Sequence, residues 1–504
     1  QGNDVYENQE LPIAASDVDC ILLTHAHIDH SGLIPLMYVN GFRGQVYSTS
    51  ATAQLCEIML RDSAHIQMFE AEWRNRKAAR SGGKLKEFVP LYDMDAAVNV
   101  CKQFVGCEYD RVYDIAEGIK IRFTDVGHLL GSASIEVWAT EKTENGDVTE
   151  KIVFSGDIGN INKPIIKDPK HVRDADYVVM ESTYGNRSHG GTPNYVEDLT
   201  DIFKRTFERG GNVVIPSFAV GRTQELLYII RKIKEDNLVG RDFDVYMDSP
   251  LAIEATNIFI KNVESCFDDE AVELVRKGIN PLSFPGLKYA TTGDESKQIN
   301  FDPNPKVIIS SSGMCEAGRI RHHLKHNLWR PECTIVFVGY QAVGTTGRII
   351  VDGAEEIKLF GEPIQIKAEI VQLKGSSGHA DKDGLLCWIN AFDTKPKKVF
   401  VVHGEDSVCD EFTECLKEEY GYDAMAPYTG GSYDLIADRV ISEGVKERKT
   451  RRTTSTQRGK TVFDRLVAAG KRLMTVITHN EGGTNKDLAK FTDQINALCD
   501  KWDR

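Results

Sequence analysis

Positive charge is in short supply in this chain. Its 504 residues carry 61 lysines and arginines against 75 aspartates and glutamates, a formal net charge of −14. That deficit excludes a protein that grips nucleic acid through a global basic surface, so any such contact has to come from local groups or bound cations. Long hydrophobic runs are absent as well. No apolar stretch reaches the ~20 residues needed to cross a bilayer, so no membrane span is expected. No secretory leader is visible. The 11 cysteines are scattered and form no CxxC pair, which reads as reduced thiols in a cytoplasmic protein. Neither GxxxxGK[ST] nor a GxGxxG dinucleotide pattern occurs, so no nucleotide cofactor is expected.

What is present fits a globular chain of two or three domains, since 504 residues exceed one core. Residues 18–50 read as strand, loop, helix, strand, and residues 51–80 as a long helix. Strand patterns dominate the stretch from Ile119 to Met180. From about Pro193 the rhythm changes to repeated units of strand, small-residue loop and helix, which predict a parallel sheet with helices on its faces. The segment Lys446 to Lys460 is basic and poor in hydrophobics, and reads as a linker or flexible arm. Leu488, Phe491, Ile495, Leu498 and Trp502 recur three and four apart and mark an amphipathic last helix, for packing on the body or on a second subunit of a homodimer.

The densest chemistry lies in His25-Ala26-His27-Ile28-Asp29-His30. An ordinary core has no use for so many polar ligands, each of which needs a buried partner. Divalent cations, zinc above all, would supply those partners, although imidazole and carboxylate also suit iron. The stretch follows the strand pattern Val18–Thr24, so it sits on a strand-to-helix loop. Further candidates are His128 in Val126-Gly127-His128, Asp157 in Ser155-Gly156-Asp157, His379 in Gly378-His379-Ala380-Asp381, and His403 in Val402-His403-Gly404-Glu405. Most of these follow a predicted strand, so one rim of a sheet could gather them. His65, His171, His189, His322 and His326 are read as ordinary surface or core histidines.

These ordered motifs resemble the metallo-β-lactamase superfamily. Glu181 in Met180-Glu181-Ser182-Thr183-Tyr184-Gly185, the Ser377–Asp381 segment and His403 resemble motifs A, B and C of the β-CASP nucleases, and Gly221-Arg222-Thr223-Gln224-Glu225 and Ser311-Ser312-Gly313-Met314 are typical of them too. The resemblance covers roughly residues 10–435 and is nearest to the bacterial and archaeal members and the pre-mRNA 3′-end cleavage endonuclease. It implies an α/β fold: a metallo-β-lactamase αββα sandwich carrying an inserted β-CASP α/β domain, a parallel sheet flanked by helices. The expected domains are 1–192 and 366–435 for the sandwich, 193–365 for the insert, and 436–504 for the basic linker and helical tail. Relatives normally begin with a strand pair and an Asp-Cys-Gly-type turn that are missing ahead of Gln1-Gly2. A front truncation, with leading strands missing and weaker support under His25 and His27, is therefore expected.

By the same resemblance, two zinc ions per chain are expected. His25, His27 and His128 would hold one, Asp29, His30 and His403 the other, with Asp157 between them. Such a pair would share a hydroxide that attacks phosphorus. His379 would be the general acid for the leaving 3′-oxygen, oriented by Glu181. The implied activity is hydrolysis of single-stranded RNA to 5′-phosphate and 3′-hydroxyl ends, endonucleolytic with room for 5′–3′ exonuclease action. A histidine at motif C goes with RNA-processing members. Backbone and side-chain contacts to phosphate are expected from Ser217 and Arg222, from Ser311, Ser312 and Gly313, and from Ser376 and Ser377, with Arg319, Arg321 and Arg348 as further candidates. The alternatives are another hydrolase of this scaffold acting on a small-molecule ester, thioester or phosphodiester, and a non-catalytic scaffold subunit.

Overall fold

The computed structural model describes residues 11–80, 88–144, 146–190, 194–373, 377–445, 462–480 and 485–502. Two facing sheets build one lobe. The smaller is parallel and runs Cys20–Leu22, Gln45–Thr49, Phe104–Cys107. The larger runs, in spatial order, Ala424–Met425, Lys398–Val402, Tyr177–Glu181, Gly146–Phe154, Ala133–Thr143, Ile119–Asp125, Val112–Ala116. Its first four strands are parallel and the rest form an antiparallel meander. Ile121, Phe123, Ile135 and Val137 of the larger sheet bury against Leu22 and Tyr47 of the smaller, which closes the sandwich.

Helices cover the outer faces. Ser50–Arg80 and Met94–Cys101 pack on the small sheet through Leu55, Leu60, Ala97 and Val100 around Val46. Lys382–Ile389 and Asp406–Glu418 pack on the large one through Leu385, Trp388, Phe412 and Leu416 over Val178, Met180, Val399 and Val401. The αββα layering expected from sequence is what forms. It follows from strands whose two faces both need cover.

The second lobe is a six-stranded, wholly parallel sheet in the order Leu287–Tyr289, Asp244–Met247, Lys306–Ser310, Val213–Pro216, Thr334–Phe337, Glu369–Gln372. Its central strands are buried along their whole length, which is why they read as continuous apolar runs. Alternate residues serve opposite faces. Val213, Ile215, Val307 and Ile309 meet the helices Tyr195–Glu208, Arg222–Glu235 and Pro250–Lys261, whereas Val214, Ile308 and Ile335 meet Ile320–Asn327.

Three departures from the sequence reading are physical. Glu369–Gln372 pairs with Thr334–Phe337, so the insert's sheet runs past residue 365. The hairpin Ser432–Asp434 with Arg439–Ser442 crosses the boundary placed at 436. Tyr433 packs edge-on against Phe400, and the Tyr177 hydroxyl donates to the Leu435 carbonyl, which binds this hairpin to the large sheet. The amphipathic last helix forms as Asn485–Trp502, but a second helix, Val462–His479, precedes it. The basic stretch 446–460 and the first two residues lie outside the described residues. Among the described residues, no helix is long and apolar enough to cross a membrane.

Candidate metal centre

Strand ends place the candidate ligands. Cys20–Leu22 of the small sheet delivers His25 and His27, and the short helix Ile28–Ser31 carries Asp29 and His30. The large sheet delivers His128 after Ile119–Asp125, Asp157 after Gly146–Phe154, Glu181 at the end of Tyr177–Glu181, and His403 after Lys398–Val402. Positive-φ glycines make these turns tight. Gly127 and Gly156 have φ of 65° and 59°, and a Cβ on Gly156 would meet the Ala133 carbonyl oxygen at 2.9 Å.

The rings converge on Asp157. Its Oδ2 lies 3.4 Å from His25 Nε2 and 3.6 Å from His128 Nε2. Its Oδ1 lies 3.3 Å from His30 Nε2 and 3.5 Å from His403 Nδ1. Each carboxylate oxygen thus faces its own pair of histidines. His27 Nδ1 is 3.0 Å from His25 Nε2 and 3.2 Å from His128 Nε2. His30 Nε2 and His403 Nε2 are 3.2 Å apart, with Asp29 Oδ2 3.7 Å from the latter. Ligand atoms of His25, His27, His128 and Asp157 form one group within 4.8 Å, and those of Asp29, His30 and His403 another.

Electrostatics separates the two groups. Burial holds His25 and His128 below the usual imidazole range and His27 down to about 3, so these rings are neutral and offer lone pairs. Burial pushes the Asp157 carboxyl up, but the His25 and His30 imidazoles beside it win and keep it ionised. His403 is raised to about 9: burial opposes its charge, and Asp29 and Asp157 overcome burial.

A cation fits this donor set. Nitrogen lone pairs about one hydrogen bond apart repel unless protons or a cation lie between them, and neutral buried rings supply too few protons. Among the described residues, the buried Oδ1 of Asp157 has no donor in hydrogen-bond geometry, although His30 Nε2 lies 3.3 Å away. Imidazole nitrogen and carboxylate oxygen are the chemistry that zinc takes.

Beside the cluster stands the pair His379 and Glu181. His379 Nδ1 is 3.2 Å from both carboxylate oxygens of Glu181 and 3.9 Å from Asp157 Oδ2. Burial disfavours the imidazolium, yet the Glu181 charge raises His379 above its ordinary range. Glu181 is itself fixed, accepting from Ile158 N at 2.6 Å and Thr183 N at 3.2 Å.

The expected phosphate contacts fare differently. Ser217 is buried, accepting from the Thr223 hydroxyl and donating to the Phe218 carbonyl. Arg222 donates to Glu225 at 2.5 Å. Ser311 shares a hydrogen bond with Ser249, Ser312 with the Ala317 backbone, and Gly313 lies against Phe218. Arg319 is committed to Asp248 and to the Ala290 and Thr291 carbonyls, and Arg348 to Asp352. The Arg321 guanidinium lies over the Phe360 ring. Ser377 accepts from His379 N at 3.1 Å and is the candidate nearest the cluster by its bonds, while Ser376 lies outside the described residues.

Several neighbours escaped the sequence reading. The Thr183 hydroxyl sits 3.1 Å from His403 Nδ1, two residues beyond Glu181 in the same motif. His189, read as an ordinary histidine, brings Nε2 to 3.2 Å from the His379 carbonyl oxygen. Lys163 donates to the His128 carbonyl at 2.9 Å, and nothing in its sequence surroundings signals that.

An αββα sandwich with a histidine-rich rim and a parallel-sheet insert defines a metal-dependent hydrolase of the metallo-β-lactamase class. The Beta-Casp domain profile matches residues 223–350, and that of the Zn-dependent metallo-hydrolase RNA specificity domain matches residues 363–427. The chain is 34% identical over 390 residues to Ribonuclease TTHA0252 of Thermus thermophilus, covering 77% of this chain and 82% of the relative. It is 31% identical over 392 residues to the RNase J-like protein of Methanocaldococcus jannaschii, with 77% and 82% covered. It is also 32% identical over 421 residues to the transcription termination factor FttA of Methanosarcina mazei, spanning 82% of this chain but only 62% of that relative's length. The chain therefore belongs to the β-CASP metallo-β-lactamase family of metal-dependent ribonucleases.

Proposed function

We propose that this chain hydrolyses phosphodiester bonds of single-stranded RNA, endonucleolytically, with two zinc ions, leaving 5′-phosphate and 3′-hydroxyl ends. The observation that carries the reading is Asp157, whose two oxygens each face a separate pair of histidines while the His379–Glu181 pair stands beside it. In this reading His25, His27 and His128 hold one ion, Asp29, His30 and His403 the other, and Asp157 lies between both. When bound, the two ions supply a water activated near neutral pH and positive charge beside the phosphoryl oxygens.

The chain's own residues do the rest. Glu181 accepts from His379 Nδ1, which fixes the tautomer and favours the charged ring. The opposite nitrogen, Nε2, then presents a proton to the departing 3′-oxygen, a poor leaving group unless protonated. Thr183 steadies His403, and Ser377 caps the turn that carries His379. The match to an RNA specificity domain and the ribonucleases among the relatives favour RNA over a small ester or thioester.

Purified, zinc-loaded protein incubated with a 5′-labelled single-stranded RNA tests the reading. Internal cleavage, lost with chelator and regained with zinc, with 5′-phosphate on the new ends, is expected. Intact RNA beside turnover of a thioester or lactone overturns it.

A further inference from the structure

Lys163 lies on the loop that follows Asp157, in the sandwich lobe, yet its ammonium points at the insert. Its Nζ lies 3.3 Å from Glu225 Oε1 on the insert's helix Arg222–Glu235. The same Nζ donates at 2.9 Å to the backbone carbonyl of His128. Both side chains are largely withdrawn from water, 12% and 10% exposed. Nearby, a Cβ on Gly221, which leads into the same helix, would stand 3.1 Å from Leu129, the residue after His128. The insert therefore meets the His128 turn both through packing and through a charge.

A buried lysine is retained where it is paired. Pairing with Glu225 alone does not explain this one, because Glu225 already has Arg222 at 2.5 Å. What Lys163 adds is the bond to the His128 carbonyl. His128 is otherwise held by Ser132, whose hydroxyl accepts from its backbone N at 3.0 Å, and by the Gly378 carbonyl 3.2 Å from its Nδ1. Those contacts fix the backbone N and the ring, and Lys163 fixes the carbonyl between the two neighbouring turns.

We propose that Lys163 is a positioning residue for the metal centre, through which Glu225 of the insert sets the orientation of His128. This rests on the reading of His128 as a metal ligand. The insert then does more than face the cleft: it helps to build the ligand set on the other lobe, and a shift of the helix Arg222–Glu235 changes metal affinity.

The test is zinc affinity by chelator competition on the full chain, with thermal melting of the metal-free protein as the folding control. Outer contacts of this kind change metal affinity by about 10- to 100-fold. Lys163→Met is expected to lose that much, and Glu225→Gln a measurable part of it although Glu225 contacts no ligand atom of the centre. The double variant is expected to lose no more than Lys163→Met alone, because both act along one path. Wild-type affinity in folded Lys163→Met, or losses that add in the double variant, overturns the proposal. If Lys163→Met does not fold, Glu225→Gln decides: unchanged zinc affinity in that folded variant overturns it equally. A wild-type chain that binds no zinc defeats the metal reading instead, so the two failures are told apart.

Discussion

Replacing His379 with alanine should hurt the cleavage of RNA far more than that of an activated phosphodiester. The reason is the leaving group. An RNA 3′-oxygen departs as a strongly basic alkoxide unless a proton arrives with it, whereas p-nitrophenolate departs unaided. His379 is placed for that transfer by one partner, with Glu181 3.2 Å from its Nδ1. A positioned general acid contributes about 10²–10⁴-fold, roughly 3–5 kcal/mol of barrier. His379→Ala should therefore lose that factor on a defined oligoribonucleotide but less than about tenfold on bis(p-nitrophenyl) phosphate. Glu181→Gln should fall between, and its cost has a second source. Both Glu181 oxygens accept backbone N–H groups, from Ile158 and Thr183, so an amide NH2 must face one of these donors. An unmet buried N–H costs about 1–3 kcal/mol of stability, so the melting temperature should fall as well. The double variant should lose no more on RNA than His379→Ala, as expected of groups that act as a unit. The assay is steady-state kcat on both substrates at equal zinc loading. Equal losses on the two substrates would refute the acid assignment, since they would mean His379 serves the ligands rather than the leaving group.

Three further outcomes are expected. On the proposed two-zinc reading, Asp157→Ala should cut bound zinc to one ion per chain or fewer by elemental analysis; full loading would remove the shared-carboxylate reading. Gly159→Ala should unseat the centre from outside it, because the new Cβ falls 1.9 Å from the Gly127 carbonyl oxygen and 2.7 Å from His128 N, both backbone; wild-type melting together with wild-type zinc content would contradict this. Burial holds the Asp125 carboxyl up to about 7. A folded value above the unfolded one adds stability that is fully present below about pH 4 and is lost as pH rises through the folded value, so Asp125→Asn should gain on wild type by up to about 4 kcal/mol between pH 4 and 8, read by urea melts of chelated protein. A difference that stays flat with pH would refute it.

The loops that carry the candidate ligands stand out in the sequence because two simple signals coincide in them. A strand ends, and a residue that can hold a metal follows within a few positions, as at His25, His128, Asp157 and His403. The layered architecture was legible for a related reason: the insert's central strands carry apolar runs at 213–215, 307–309 and 335–337, and the large sheet's strand Val112–Ala116 alternates in burial. The small-residue loops say less by themselves. Ser217 and Ser311 follow strands just as the ligands do, but their hydroxyls close onto Thr223 and Ser249 within the same lobe. Arg319 looked available and instead neutralises the buried Asp248. Sequence shows that a polar group stands at a strand end but not which partner the fold brings to it, and that partner is often far along the chain. The helix Val462–His479 is a different omission. Its apolar residues Val462, Leu466, Leu473 and Ile477 carry helical spacing that was there to be read.

The candidate ligands are divided between the two sheets. His25, His27, Asp29 and His30 come from the small sheet's edge, and His128, Asp157 and His403 from turns of the large one. The group of His25, His27, His128 and Asp157 and the group of Asp29, His30 and His403 each draw on both sheets. The packing of Ile121 and Phe123 against Leu22 and Tyr47 is therefore part of the site, since it fixes the distance between the two rims. The backbone bonds Ala133 N to Thr24 O and Gly159 N to Val126 O lock the turns to each other at 2.9 and 2.8 Å. A candidate centre assembled this way takes its geometry from the packing of the two sheets, and the insert reaches it from outside through the His128 turn, where Lys163 meets both Glu225 and the His128 carbonyl.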